Sequence, residues 1–204
     1  QKATPLIFSG LAVTIAFRVG LFNIGAQGQL LVGALASAVT AVDLNGGPAA
    51  VVIVASMIAG IIAGALWAAI AGLLKAYRNV HEVIATIMLN AIAMGVIDFL
   101  VGQEGPFGQE GAALPRTPDI AEQYFVPNFG PLTTGFIISC SLAVGMWWLL
   151  RSTTLGFRFN TVGKNKFAAV YAGMSLRGTI LLSMLFSGGL AGLGGTIETL
   201  GVTH

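Results

Sequence analysis

The stretch PAAVVIVASMIAGIIAGALWAAIAGLL, residues 48–74, carries no charged side chain and no alternation of polar with apolar residues. A helix needs about 20 mainly apolar residues to cross the hydrocarbon core of a bilayer, so this run is long enough to cross with some tilt. Within it Ser56, Gly60, Gly64, Ala68 and Gly72 recur every four residues, which lines small side chains along one stripe of a helix. Apolar helices in lipid gain little from burying apolar surface against one another, and close packing then depends on such small residues. The stripe predicts a helix seated in a multi-helix bundle.

Composition extends this reading to the whole chain. Of 204 residues, 55% are hydrophobic and only 9% charged, whereas a soluble domain carries roughly 25% charged residues to solvate its surface. Further apolar segments are predicted at residues 5–17, 21–42, 83–101, 131–150 and 178–200. The expected fold class is all-α: a polytopic helical membrane protein of about six transmembrane segments, one of them broken near residues 23–29. In the last segment Gly188 and Gly192, with Ser187, Ala191 and Gly195 beside them, make a second small-residue face. A single membrane domain over residues 1–204 is expected. No charged leader precedes the first apolar run and the chain stops just after the last, so it is expected to be a fragment of a longer protein. The net charge of +2 does not point to nucleic acid, because the basic residues sit in short segments between apolar blocks. Cys140 is the only cysteine, so no disulfide forms within the chain.

Charge also orients the chain. Residues 75–82 hold Lys75 and Arg78, and residues 151–177 hold Arg151, Arg158, Lys164, Lys166 and Arg177 with no acid. Residues 102–130 hold Glu104, Glu110, Asp119 and Glu122 against one Arg116. The Lys/Arg asymmetry places the two basic connections in the cytoplasm and the 102–130 loop outside.

Three features bear on function. In GLFNIGAQGQ, residues 20–29, the amides Asn23, Gln27 and Gln29 and the glycines Gly20, Gly25 and Gly28 interrupt two apolar runs. Each Gly weakens a helix by about 1 kcal/mol relative to Ala. Amides in hydrocarbon must find partners or a water-filled cavity, and a broken helix beside such a cavity is a common way to build a substrate site. A cytoplasmic turn after Arg18 is the other reading, but residues 30–42 alone would be too short to span. The candidate substrate pathway is Phe22, Asn23, Gly25, Gln27 and Gln29, with Asn90 from the centre of the fourth segment. On a helical turn Asn23 and Gln27, four apart, would aim the same way. Amides offer both donors and an acceptor, which suits a neutral polar solute.

The second feature is NKFAAVYAGM, residues 165–174. Asn165 is a good N-cap and Gly173 a good stop, while Phe167, Val170, Tyr171 and Met174 fall at i, i+3, i+4 and i+7. Such a short amphipathic helix is unstable alone, so it packs either on a partner or on the bilayer surface. The third is an absence. Asp98 lies about 24 Å along a helix from Glu82, near the outer interface, and Glu198 sits equally far from Arg177. No carboxylate is placed to carry a proton in mid-membrane, which argues against an ion-coupled secondary transporter. The chain also has no phosphate-binding G-x-x-x-x-G-K-[ST] loop, so energy is expected from a separate motor. His81, His204 and Cys140 are scattered; no catalytic residue, metal site or cofactor is expected.

Four ordered blocks carry a family resemblance: TPLIFSGLAVTIAFRVGLFNIGAQGQLLVGAL from Thr4, GLLKAYRNVHEVIATIMLN from Gly72, LGFRFNTVGKNKFAAVYAGM from Leu155 and FSGGLAGLGGTIETLG from Phe186. Together they cover most of the chain. They resemble the permeases of bacterial ABC importers related to the ribose and branched-chain amino-acid systems, within these the nucleoside (basic membrane protein-associated) branch. The resemblance implies a multi-pass protein of the bacterial inner membrane that imports a small neutral polar solute, a nucleoside before a sugar or an amino acid. It implies that Asn165, Ala168, Ala169, Ala172 and Gly173 form a coupling helix docking in a separate ATPase subunit, and that residues 22–29 line the pathway; the one-face spacing of Phe167 and Tyr171 makes them the expected anchors of that helix. It further implies a second permease subunit, identical or different, and a solute-binding lipoprotein. The family usually has an acid where this chain has Gln27.

Single cysteines placed at Gly108 and Lys164 test the orientation. A membrane-impermeant thiol reagent added to whole cells is expected to label position 108 and not position 164.

Overall fold

The structure, a computed structural model, describes residues 3–102, 105–109, 116–126, 128–129 and 132–201. Among them eight α-helices follow in order: α1 (Ala3–Arg18), α2 (Ala26–Asp43), α3 (Ala49–Arg78), α4 (Glu82–Val101), α5 (Thr134–Ser152), α6 (Thr154–Lys164), α7 (Lys166–Tyr171) and α8 (Leu176–Gly201). The connection between α4 and α5 adds a 3₁₀ turn at Glu122–Tyr124 and two paired two-residue strands.

Helices α3, α4, α5 and α8 are long and apolar enough to cross a membrane, and α1 is a shorter apolar helix. The chain is therefore a multi-pass α-helical membrane protein. Helix α2 has 18 residues but carries Gln27, Gln29 and Asp43, so it is less apolar than the other long helices. The expected six segments are thus four full apolar spans with α1 and α2 beside them.

The helix ends follow local chemistry. Helix α3 begins after Pro48 and stops where Asn79 takes the left-handed conformation, φ 53°, a helix terminator that Asn tolerates better than other residues with a Cβ. Its last turn is tied to the next helix by an ion pair, Lys75 Nζ to Glu82 Oε2 at 2.8 Å.

Helix α8 is the centre of the bundle. Two-thirds of its most apolar stretch, 67%, is buried within the chain, against 22% for each of the other three spans. It packs most extensively on α3, then on α2 and α1. The reason is the glycine face. A Cβ on Gly192 would collide with the backbone at Gly60, one on Gly64 with the carbonyl of Gly188, and one on Gly33 with the backbone at Gly192. The three helices touch backbone to backbone. The stripe Ser56, Gly60, Gly64, Ala68 and Gly72 is the buried face of α3, as its four-residue spacing implies.

The two ends of the bundle differ in charge. One gathers Arg18, Lys75, Arg78, Arg151, Arg158, Lys164, Lys166 and Arg177, with the Arg177 guanidinium 5.3 Å from the centre of the Tyr77 ring. At the other end Tyr124 is fully buried and its hydroxyl accepts a hydrogen bond from Gly46 N at 2.7 Å, while Val126 N donates to Leu200 O at 2.9 Å. Part of the 102–130 loop is thereby fastened to the α2–α3 turn and to the end of α8.

The sequence reading took residues 151–177 as a loop with one short helix. The structure corrects this: α6 precedes α7. Thr153 Oγ1 caps α6 by accepting from Gly156 N at 3.2 Å, and Phe159 and Val162 are buried in the core beside α1, with the Phe159 ring edge-on to Phe186. Met174, expected to continue the apolar face of this short helix, lies beyond the end of α7 and packs against the chain's own core.

Gly192→Ala is expected to lower the stability of the purified protein by at least about 1–3 kcal/mol, since overpacking at a backbone contact forces the helices apart. Gly95→Ala meets open space and is expected to be neutral or stabilising by up to about 1 kcal/mol. Thermal unfolding in detergent of the two variants checks the contrast.

Candidate functional site

Helix α1 ends at Arg18, and Gly20 at φ 78° reverses the chain, a conformation that costs Gly least. Residues 21–24 are then non-helical, and their burial alternates. Leu21 and Asn23 point inward; Phe22 and Ile24 stand exposed. Helix α2 resumes only at Ala26. The break overlaps its expected position near residues 23–29 but begins earlier: it occupies residues 19–25, and Gln27 and Gln29 already belong to the first turn of α2.

Asn23 is 1% exposed and Gln29 2%. Their amides pair reciprocally: Asn23 Nδ2 donates to Gln29 Oε1 at 3.0 Å and Gln29 Nε2 donates to Asn23 Oδ1 at 3.1 Å. Asn23 Nδ2 also donates to Ser187 Oγ at 2.7 Å, and Ser187 Oγ donates to Ala12 O at 2.6 Å. Gly25 N donates to Asn23 Oδ1 at 2.9 Å. Ser187 lies about 17 Å from the start of α8, near its middle. A closed amide network therefore joins α1, α2 and α8 at mid-depth. Buried amides leave this network only at the cost of unpaired polar groups, so Asn23 and Gln29 brace the break.

Asn90 braces it from the other side. Its Oδ1 accepts from Gly28 N at 2.9 Å and its Nδ2 donates to Ile24 O at 3.0 Å. Gly28 lets α4 come this close, because a Cβ there would lie 2.8 Å from Asn90 Oδ1. Both backbone groups are ones that a broken helix leaves without partners.

Gln27 differs from the other amides. It is exposed, and its side chain makes no hydrogen bond among the described residues. The expectation that Asn23 and Gln27 aim the same way is corrected: Asn23 lies on the non-helical segment and turns inward, while Gln27 on α2 turns outward. Ile24 and Phe22, in the non-helical stretch just before α2, are exposed as well, and Phe22, 55% exposed, meets Phe17 edge-on with ring centres 5.1 Å apart. Gly25 is buried beneath this surface, close to Thr86, Asn23 and Gln29.

The second candidate region is α7. Asn165 Oδ1 accepts from Phe167 N and Ala168 N, both at 3.0 Å, and Gly173 ends the turn at φ 75°. Phe167 is 81% exposed and Tyr171 92%, with Val170 between them. Ala168 and Ala172 are exposed, whereas Ala169 is fully buried in the chain's own core and offers nothing to a partner. The sequence reading did not assign Ser187 to the site. Its hydroxyl sits in a run of small residues, where spacing signals packing and hides a polar role.

The sequence was compared with known proteins. A family model described as branched-chain amino acid transport system / permease component matches residues 1–204. The guanosine ABC transporter permease protein NupP of Bacillus subtilis (strain 168) is 42% identical over 98% of this chain and 58% of its own length. The glucose ABC transporter permease protein TsgB13 of Haloferax volcanii is 36% identical over 98% and 55%. The nucleoside ABC transporter permease protein NupB of Lactococcus lactis subsp. cremoris is 36% identical over 98% and 58%. The chain thus spans less than three-fifths of these relatives. No solved structure gives a significant match.

Asn90→Ala is expected to destabilise the purified protein by about 1–3 kcal/mol, because Gly28 N–H and Ile24 C=O lose their partner. Met88→Ala, at an exposed site on the same helix, should cost less than half as much. Parallel thermal unfolding checks this.

Proposed function

Because the chain belongs to the branched-chain amino acid transport system / permease component family, we propose that it is the membrane-spanning permease part of an ATP-binding-cassette importer in a bacterial cytoplasmic membrane, carrying a nucleoside. The carrying observation is Gln27. It lies one residue from Gly28, which meets α4 at Asn90, about 12 Å along α4 from Glu82, well inside the bilayer. An exposed amide without a partner at that depth is costly against lipid and needs a wet surface or another polar chain. The pathway wall is then Phe22, Ile24 and Gln27, held in shape by Gly25, Asn90 and the buried Asn23–Gln29 pair. An exposed amide and an exposed aromatic ring on one short stretch of chain suit a solute with both hydroxyls and a flat ring. The two nucleoside-permease relatives support that choice over a sugar, which the glucose relative represents.

On the basic end, which the Lys/Arg rule assigns to the cytoplasm, Phe167, Val170 and Tyr171 of α7 form the docking knob for a separate ATPase subunit. A solute-binding lipoprotein and a second permease subunit, identical or different, complete the assembly. Asp98 and Glu198 lie in the last turns of α4 and α8, far from the wall, which disfavours proton coupling.

The experiment is uptake of labelled nucleosides, sugars and amino acids by the full-length transporter in cells. Gln27→Leu is expected to lower nucleoside uptake about three- to tenfold, the effect of one hydrogen bond. Phe167→Ala should abolish co-purification of the ATPase with the membrane fold intact. Full nucleoside uptake in both variants, or preferred uptake of a charged solute, would end the proposal.

A further inference from the structure

A pocket of about 370 Å³ opens at the basic end of the bundle, between the last turns of α1 and α5 and the flank of α6. Its lining is Arg18, Trp147, Leu150, Arg151 and Asn160. No acid contributes to it. Among the described residues the ion pairs are Lys75–Glu82 and Arg116–Asp119, so neither Arg18 nor Arg151 has a carboxylate partner. Arg18 Nη1 reaches Asn160 Oδ1 only at 3.5 Å, and Asn160 Nδ2 is held by Leu150 O at 3.1 Å. The Arg151 guanidinium stacks 5.4 Å from the centre of the exposed Trp147 ring. Each guanidinium carries five N–H donors in a planar fork, and these contacts leave most of them free.

Depth identifies what fills the pocket. Arg18 and Arg151 close apolar helices, and Trp147 lies one turn further into the apolar part of α5. That is the level at which aromatic side chains meet lipid headgroups. The lining is polar toward Asn160 and the guanidinium groups, and apolar toward Trp147 and Leu150. We infer that this pocket binds the phosphate of an anionic phospholipid, held between Arg18 and Arg151, with the glycerol and upper acyl chain against Trp147 and Leu150. Guanidinium forks match phosphate oxygens in a bidentate fashion, and clustered Arg at this level of a bilayer favours anionic lipid. The site is independent of the transported solute.

The test uses the full-length protein, purified with added phosphatidylglycerol or phosphatidylcholine and read by native mass spectrometry. Phosphatidylglycerol is expected to stay bound where phosphatidylcholine is lost. The Arg18→Gln/Arg151→Gln double variant should lower its retention about tenfold. Arg158→Gln, which removes an exposed charge elsewhere on α6, should leave it unchanged. If the double variant melts early, Arg18→Lys/Arg151→Lys is read instead, and it should retain the lipid less well than wild type because Lys loses the bidentate fork. Equal retention in wild type and both double variants would overturn the inference. So would an equal loss in Arg158→Gln, no preference for phosphatidylglycerol in the wild type, or displacement of the lipid by millimolar inorganic phosphate.

Discussion

The architecture depends on contact between backbones. In hydrocarbon there is no water for apolar side chains to escape, so helices hold together by how closely their main chains approach. Here α8 is the element approached. Gly192 lies between Gly60, Gly64 and Gly33, Gly188 meets Gly64 and Ala68, and Gly194 sits under Phe8. Helices α1, α2 and α3 thus share one axis, and each is positioned by where it can touch α8.

That placement lets the chain tolerate a break. Non-helical backbone inside a membrane must have its polar groups satisfied by the protein. Asn23 takes the Gly25 N–H, and Asn90 takes the Gly28 N–H and supplies a donor to Ile24 O. Ser187 sits at the height that meets Asn23 only because α8 is pinned by its glycines. The amides of this region therefore divide into two kinds. Asn23, Gln29 and Asn90 complete the scaffold, and Gln27 alone is left for whatever lies outside it.

The small-residue stripes were fully legible in sequence, because a four-residue repeat and a helical turn share a period. Helix α7 was legible from equally local signals: Asn165 caps it and Gly173 ends the turn. Four features were not. The inward turn of Asn23 depends on residues 21–24 being non-helical, which flips alternate side chains in a way helical spacing cannot foresee. The partnership with Ser187 spans residues 23 to 187 and has no local trace. Helix α6 was overlooked because its buried residues, Phe159 and Val162, are few and stand among basic and polar ones. Ala169 was grouped with its exposed neighbours, although it faces the chain's own interior.

The short Lys75–Glu82 tie has a mechanical side. It fixes one end of α4, while the rest of that helix packs on α2 and α3, with Asn90 bonded to the break and Val101 buried near the far end. Helix α4 is about 30 Å long, so a tilt of about 10° about the tie would carry its far end by roughly 5 Å. Asn90, about 12 Å from the pivot, would travel only roughly 2 Å, yet that is enough to part both of its hydrogen bonds. Any such tilt would act unequally along the helix, with the Asn90 contacts on the short arm and the opposite face of the membrane on the long one.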